Sequence, residues 1–151
     1  MEKNNTENIL QIKRLSEKAA VPSRQTGGSA GYDLSAHIES DVSIEPGSIV
    51  QIPTGIAVEM PAGFVGMVYG RSGMGAKHGV HLINGVGVID SDYRGEISVN
   101  LMNSGTKTYV VKPSDRIAQI VFTKTETPEI KIAEKLSDTD RGESGFGSTG
   151  R

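Results

Sequence analysis

The pentapeptide Ile97-Ser-Val-Asn-Leu101 alternates apolar and polar residues without interruption. A period of two places its three apolar side chains on one face of an extended strand and leaves the other face polar. Short apolar or β-branched runs predict further strands at Ile9 to Leu15, Val42 to Ile44, Ile49 to Ile52, Ile56 to Met60 and Phe64 to Tyr69. The same reading covers Val86 to Ile89, Thr108 to Val111, Ile117 to Thr123 and Ile130 to Ala133. Turn residues bound each run, which is the pattern of short, half-buried strands. The best helical segment, Gly73 to His78, is so glycine-rich that it needs tertiary support to hold.

Connections are tight. Glu45-Pro46-Gly47 suits a type II turn with Pro second and Gly third, and Pro61-Ala-Gly63 predicts a hairpin-like break. About ten short strands joined this way predict an all-β sandwich, jelly roll or barrel rather than a βαβ sheet. A chain of 151 residues makes one domain. With four Tyr, three Phe and no Trp, its core must be built from Val, Ile and Leu, while 19 glycines imply many turns and close backbone approaches. No internal repeat is visible, and the only low-complexity segment begins near Leu136.

A formal net charge of −2 with scattered Lys and Arg offers no basic stripe, so no nucleic-acid partner is expected, whereas a small anion held locally is compatible. The absence of Cys removes disulfides and thiolate metal sites. The polar start from Met1 to Asn8 and the lack of any membrane-length apolar run predict a cytoplasmic protein with no membrane partner.

Several constellations can carry chemistry. Gly70-Arg-Ser-Gly-Met-Gly-Ala-Lys77 approaches a phosphate loop, but Lys77 does not follow Gly75 and His78 stands where a Mg²⁺-binding hydroxyl belongs. Arg71, Ser72 and Lys77 still suit phosphates, and a solvated surface loop is the alternative. His78 and His81 have HxxH spacing with no third ligand nearby. Asp90 and Asp92 stand at i and i+2 after an apolar run, where an extended chain would put both on one side. They suit a cation, a general base or a solvated turn. Asp33, beside Tyr32, is a further lone carboxylate whose simplest role is a turn cap. Spacing alone does not rank these residues. The tail from Arg141 to Arg151 combines a cation, an aromatic ring, hydroxyls and glycine N–H groups, an inventory suited to a nucleotide.

In chain order, Ala30-Gly-Tyr-Asp-Leu-Ser-Ala36, Gly70-Arg-Ser-Gly73, Asn84 to Glu96 (NGVGVIDSDYRGE), Asp115-Arg-Ile-Ala-Gln-Ile120 and Arg141 to Gly150 (RGESGFGSTG) resemble the five ordered motifs of the homotrimeric dUTP diphosphatase family. The resemblance spans residues 30 to 150. It implies a jelly-roll-like β fold, a threefold homotrimer with sites built from all three chains, and Mg²⁺-assisted hydrolysis of dUTP to dUMP and pyrophosphate. Such a reaction keeps uracil out of DNA and supplies dUMP for dTMP synthesis. The domain is expected over residues 1–137, with 1–8 disordered, and residues 138–151 form a flexible tail closing over a neighbouring subunit's site.

By the same resemblance, Asp90 is the base that activates water for attack on the α-phosphorus, with Asp92 in support. Asp33 binds a water on Mg²⁺, an ion held mainly by the triphosphate. Asn84 and the hairpin backbone at Gly87 read uracil, and Tyr93 occupies the space a 2′-hydroxyl would need. Arg71, Ser72 and Gln119 contact phosphates, and Gly73 is a further substrate-binding residue. In the tail, Arg141, Ser148 and Thr149 hold the γ-phosphate, Phe146 stacks on the base and Gly147 is a further substrate-binding residue. Ser144 stands where Gly is common in the family, and Gly75 where Ala is usual. Two rival readings are a dCTP deaminase of the same fold and a nucleotide-gated module that acts on a regulatory protein partner.

Overall fold

The computed structural model describes residues 9–145. Among them are eleven strands and one short helix, so the all-β prediction holds. The strands are β1 Gln11–Arg14, β2 Tyr32–Ser35, β3 Val42–Ile44, β4 Ile49–Pro53, β5 Ile56–Glu59 and β6 Phe64–Gly70. Helix α1, Ser72–His78, follows, and then β7 Val80–Leu82, β8 Val86–Ile89, β9 Ser98–Asn103, β10 Tyr109–Val111 and β11 Arg116–Lys124.

Every pairing is antiparallel, and most join strands distant in sequence. The largest sheet has the order β2-β11-β6-β8, a second runs β4-β9-β7, and two ribbons pair β1 with β5 and β3 with β10. Early strands closing against late ones give the jelly-roll-like wrap. The interior is aliphatic: Leu34, Ile44, Ile52, Ile56, Ile97, Val99, Leu101, Val111, Ile117 and Ile120 are all fully buried, and among the described residues no aromatic is. Ile97, Val99 and Leu101 are buried while Ser98 and Asn100 are not, as their alternation predicts.

Helix α1 ends on Gly79 in the left-handed region, and its support is a single buried anchor, Met74. A Cβ at Gly79 would stand 2.7 Å from the Gly105 nitrogen, so the helix end packs directly on the β9–β10 turn. Glu45 to Ser48 forms the expected turn, with a 2.9 Å bond from Ser48 N–H to the Glu45 carbonyl and Gly47 at φ 79°.

Three expectations are corrected. Pro61 to Gly63 does turn, with Phe64 N–H donating to the Pro61 carbonyl at 3.2 Å. It joins β5 of one sheet to β6 of another, because the flanking runs take distant partners and so make no hairpin. Ile130 to Ala133 is not a strand. Ile130 is 93 % exposed and no strand of the described residues lies beside it, so its backbone has nothing to pair with there. Asp90 and Asp92 do not share a side of an extended chain, because β8 ends at Ile89 and Tyr93 N–H turns back to the Asp90 carbonyl at 3.1 Å.

Candidate active site

Asp33, Gln119 and Arg71 come together on the β2-β11-β6 part of the large sheet. Asp33 lies directly opposite Gln119, and Gln119 opposite Tyr69, so all three project from the same face. The Asp33 carboxylate is mostly shielded, and Oδ2 accepts from Gln25 Nε2 at 2.7 Å and from Arg116 Nη1 at 3.2 Å. Arg71 Nη1 donates to the Arg116 carbonyl at 2.8 Å, and Gln119 Nε2 donates to the Gly70 carbonyl at 3.3 Å. A side chain at Gly31 would collide with the Gln119 amide, which explains the glycine there. Ser72 and Gly73 are exposed in the first turn of α1, beside Arg71.

The second cluster lies beyond β8. A turn with Gly85 at φ 69° presents Asn84, with Val86 N–H bonded to the Asn84 carbonyl at 2.8 Å. Gly87 faces Val68 across the ladder, and a Cβ there would stand 3.2 Å from the Val68 Cβ. Strand β8 then delivers Asp90 to the mouth of a cavity of about 270 Å³, which Tyr93, Glu96, Gln51 and Ser98 also line. The Tyr93 hydroxyl donates to the Glu96 carbonyl at 3.0 Å. Asp92 is exposed at the turn.

One chain does not bring these clusters together. Asp33, Gln119, Tyr69 and Val86 form one row across the sheet, and Asp90 follows four residues beyond Val86. Three strand spacings amount to roughly 14 Å across, and four residues add roughly 13 Å along the sheet. Arg141 is exposed and donates to the Ser144 carbonyl at 3.0 Å within its own turn, apart from both clusters. Phe146, Gly147, Ser148 and Thr149 lie outside the described residues.

Sequence reasoning assigned no part to Gln25, Arg116 or Glu96. Arg116 and Glu96 belong to the blocks Asp115 to Ile120 and Asn84 to Glu96, which was the available signal, whereas nothing local marks Gln25. His78 and His81 also have plain structural partners. His78 lies against the Tyr109 ring with centroids 5.1 Å apart, and His81 Nε2 is 2.8 Å from the Ser104 hydroxyl.

The dUTPase family model matches residues 17–150. The deoxyuridine 5'-triphosphate nucleotidohydrolase of Desulfitobacterium hafniense is 51 % identical over 148 residues, covering 95 % of this chain and 98 % of that protein. The dUTPase of Staphylococcus bacteriophage 80alpha, solved with dUpNHpp, superposes with a TM-score of 0.87 at 32 % identity, covering 95 % of this chain and 99 % of that one. That protein is described as controlling the transfer of virulence genes. A mutant dUTPase from phage phi11 of S. aureus, described with a structural Mg(II) ion, gives a TM-score of 0.78 at 30 % identity, covering 85 % of this chain and 99 % of that one.

Proposed function

The chain belongs to the dUTPase family, and on that premise we propose that it hydrolyses dUTP to dUMP and pyrophosphate, with Asp90 as the base. The observation that carries this reading is the cavity Asp90 shares with Tyr93. A carboxylate and a ring that can pack on a sugar stand at the rim of one pocket, next to the hairpin that bears Asn84.

In this reading Asp90 takes a proton from water as its oxygen bonds to the α-phosphorus, and the bond to the bridging oxygen breaks as pyrophosphate leaves. Asn84 offers an amide donor and acceptor to uracil, and cytosine misaligns both. Tyr93 fills the place of a 2′-hydroxyl. Arg71, Ser72, Gly73 and Gln119 hold phosphate oxygens. Arg141, Gly147, Ser148 and Thr149 close on the γ-phosphate, and Phe146 stacks on the base.

Assembly is part of the proposal. Because Asp33 and Asp90 stand at opposite edges of one sheet, a site that uses both must take them from different chains, and a threefold homotrimer supplies this. Exposed apolar residues support such contacts, with Val88 60 % exposed on edge strand β8 and Ile132 fully exposed beyond β11. Residues 138–151 are the tail that reaches the neighbour.

The donor set fits Mg²⁺ bound chiefly through the triphosphate. Among the described residues there is no cluster of three metal-ligating side chains. Asp33 instead offers one fixed carboxylate whose Oδ1 has no hydrogen-bond partner among the described residues, a suitable seat for a metal-bound water. When bound, the ion neutralises phosphate charge and orients the chain of phosphates.

Pyrophosphate release from dUTP, UTP, dCTP and dTTP in parallel tests the function. Hydrolysis confined to dUTP is expected. Ammonia release from dCTP, or no hydrolysis of any of the four, would overturn the reading. A second reading, a role through a regulatory protein partner, is favoured by the control of virulence-gene transfer ascribed to the 80alpha relative. In that role Asp90→Asn protein keeps its biological effect, whereas an effect carried by turnover is lost with it.

A further inference from the structure

We propose that Glu96 is a positioning residue that sets the Tyr93 ring at the sugar edge of the pocket and thereby helps this dUTPase refuse ribonucleotides. The inference rests on the reading of Tyr93 as the residue that excludes a 2′-hydroxyl. Tyr93 follows a tight turn and is 44 % exposed, so the bulk of its neighbours does not hold its ring. Two contacts do. The ring lies over Gly95, where any side chain would collide with it. Its hydroxyl donates to the Glu96 backbone carbonyl at 3.0 Å.

That carbonyl shares a rigid peptide plane with Ile97 N–H, and both Glu96 and Ile97 are tied to a distant part of the chain. Glu96 Oε1 accepts the Gly55 N–H at 2.7 Å, across 41 residues of sequence. Gly55 cannot shift. It sits at φ 70°, and a Cβ there would meet the His37 ring at 2.7 Å and the Ala19 Cβ at 2.8 Å. Its carbonyl accepts from Leu15 N–H at 2.8 Å. The next residue along from Glu96 is clamped by the same turn. The Thr54 hydroxyl donates to the Ile97 carbonyl at 2.5 Å, and Ile97 N–H donates to the Ile56 carbonyl at 2.9 Å. The β4–β5 turn thus grips both Glu96 and Ile97, and Tyr93 hangs from that grip by one hydrogen bond.

Losing the carboxylate removes one of the ties on this stretch, the Ile97 N–H bond to Ile56 remaining, and lets the Glu96 backbone and the ring yield more readily to a 2′-hydroxyl. The quantity to read is the ratio of kcat/KM for dUTP to that for UTP, measured on full-length wild type, Glu96→Ala, Glu96→Gln, Tyr93→Phe and Tyr93→Ala. The ratio is expected to fall about fivefold in Glu96→Ala, about tenfold in Tyr93→Phe, and further in Tyr93→Ala. Glu96→Gln keeps an acceptor for Gly55 N–H and is expected to retain the ratio within about twofold. A merely structural role for Glu96 would lower both substrates together and leave the ratio unchanged. If Glu96→Ala does not assemble, Glu96→Asp, which retracts the carboxylate by one methylene, is expected to lower the ratio several-fold. A reduced ratio in Tyr93→Ala with wild-type ratios in the assembled Glu96 variants overturns the role of Glu96 alone. A wild-type ratio in Tyr93→Ala removes the reading of Tyr93 and this inference with it.

Discussion

Arg116 reaches back across the sheet to Asp33, its Nη1 lying 3.2 Å from the carboxylate oxygen Oδ2. Gln25 donates to that same oxygen, and Arg71 donates to the Arg116 carbonyl. Gln25 and Arg116, from distant stretches of the chain, therefore meet at one carboxylate, and Arg71 joins them through the Arg116 backbone. The Arg116 side chain is half exposed, so the pair stabilises the fold only modestly, and its main effect is to orient Asp33.

Asp33→Asn removes the charge while keeping the shape and both neighbours. About tenfold more Mg²⁺ is expected for half-maximal activity, the usual scale for a group that holds a metal through another ligand. Titration of activity with Mg²⁺ at saturating dUTP checks this, and an unchanged midpoint would take Asp33 out of the metal's surroundings.

Asn103 is fully buried, and its amide makes three bonds: Nδ2 donates to the Ile44 and Lys107 carbonyls at 2.8 Å each, and Oδ1 accepts from Gly105 N–H at 2.9 Å. Asn103→Ala removes the amide that ties the Ile44 carbonyl on β3 to the β9–β10 turn, so a loss of about 3 kcal/mol is expected from urea unfolding.

Burial raises the Tyr109 phenol above its ordinary value of 10.0, the Asp115 carboxylate adds to the shift, and Arg71 opposes it. The neutral phenol is thus favoured in the folded state, and its contribution is complete below the unfolded value and lost as pH rises through the folded one. Wild type is expected to lose stability relative to Tyr109→Phe once pH exceeds about 10, read as the difference in urea midpoints. A difference that stays constant with pH would contradict it.

Removing residues 138–151 takes away the tail well after β11 ends at Lys124. The core and oligomer are expected to persist, seen by size and by thermal unfolding, while turnover falls at least about a hundredfold. An unfolded or monomeric truncation would count against the division between domain and tail.

The sequence made the strands legible wherever a run was long or strictly alternating, as at Ile97 to Leu101. It missed β2 and β7 for local reasons. Tyr32–Ser35 buries only Leu34, and Val80–Leu82 is three residues long, so neither shows a period. Ile130 to Ala133 carried a strand pattern without a partner among the described residues, and pairing is what makes a strand. For the proposed site, the resemblance of the ordered motifs, not residue spacing, pointed to Asp90, Asn84 and Tyr93. Their distance from Asp33 was not legible, because it depends on β2, β11, β6 and β8 pairing across most of the chain. The bond from Gly55 to Glu96 was hidden for the same reason.

Asp90→Asn provides the most direct measurement: single-turnover dUTP cleavage with Mg²⁺, by wild type and by mutant protein of unchanged oligomeric state. The amide cannot accept the proton of the attacking water, so the cleavage rate is expected to fall about a thousandfold while dUTP still binds. Cleavage within about tenfold of wild type would contradict the assignment of Asp90 as the base, since a positioned general base contributes at least about a hundredfold.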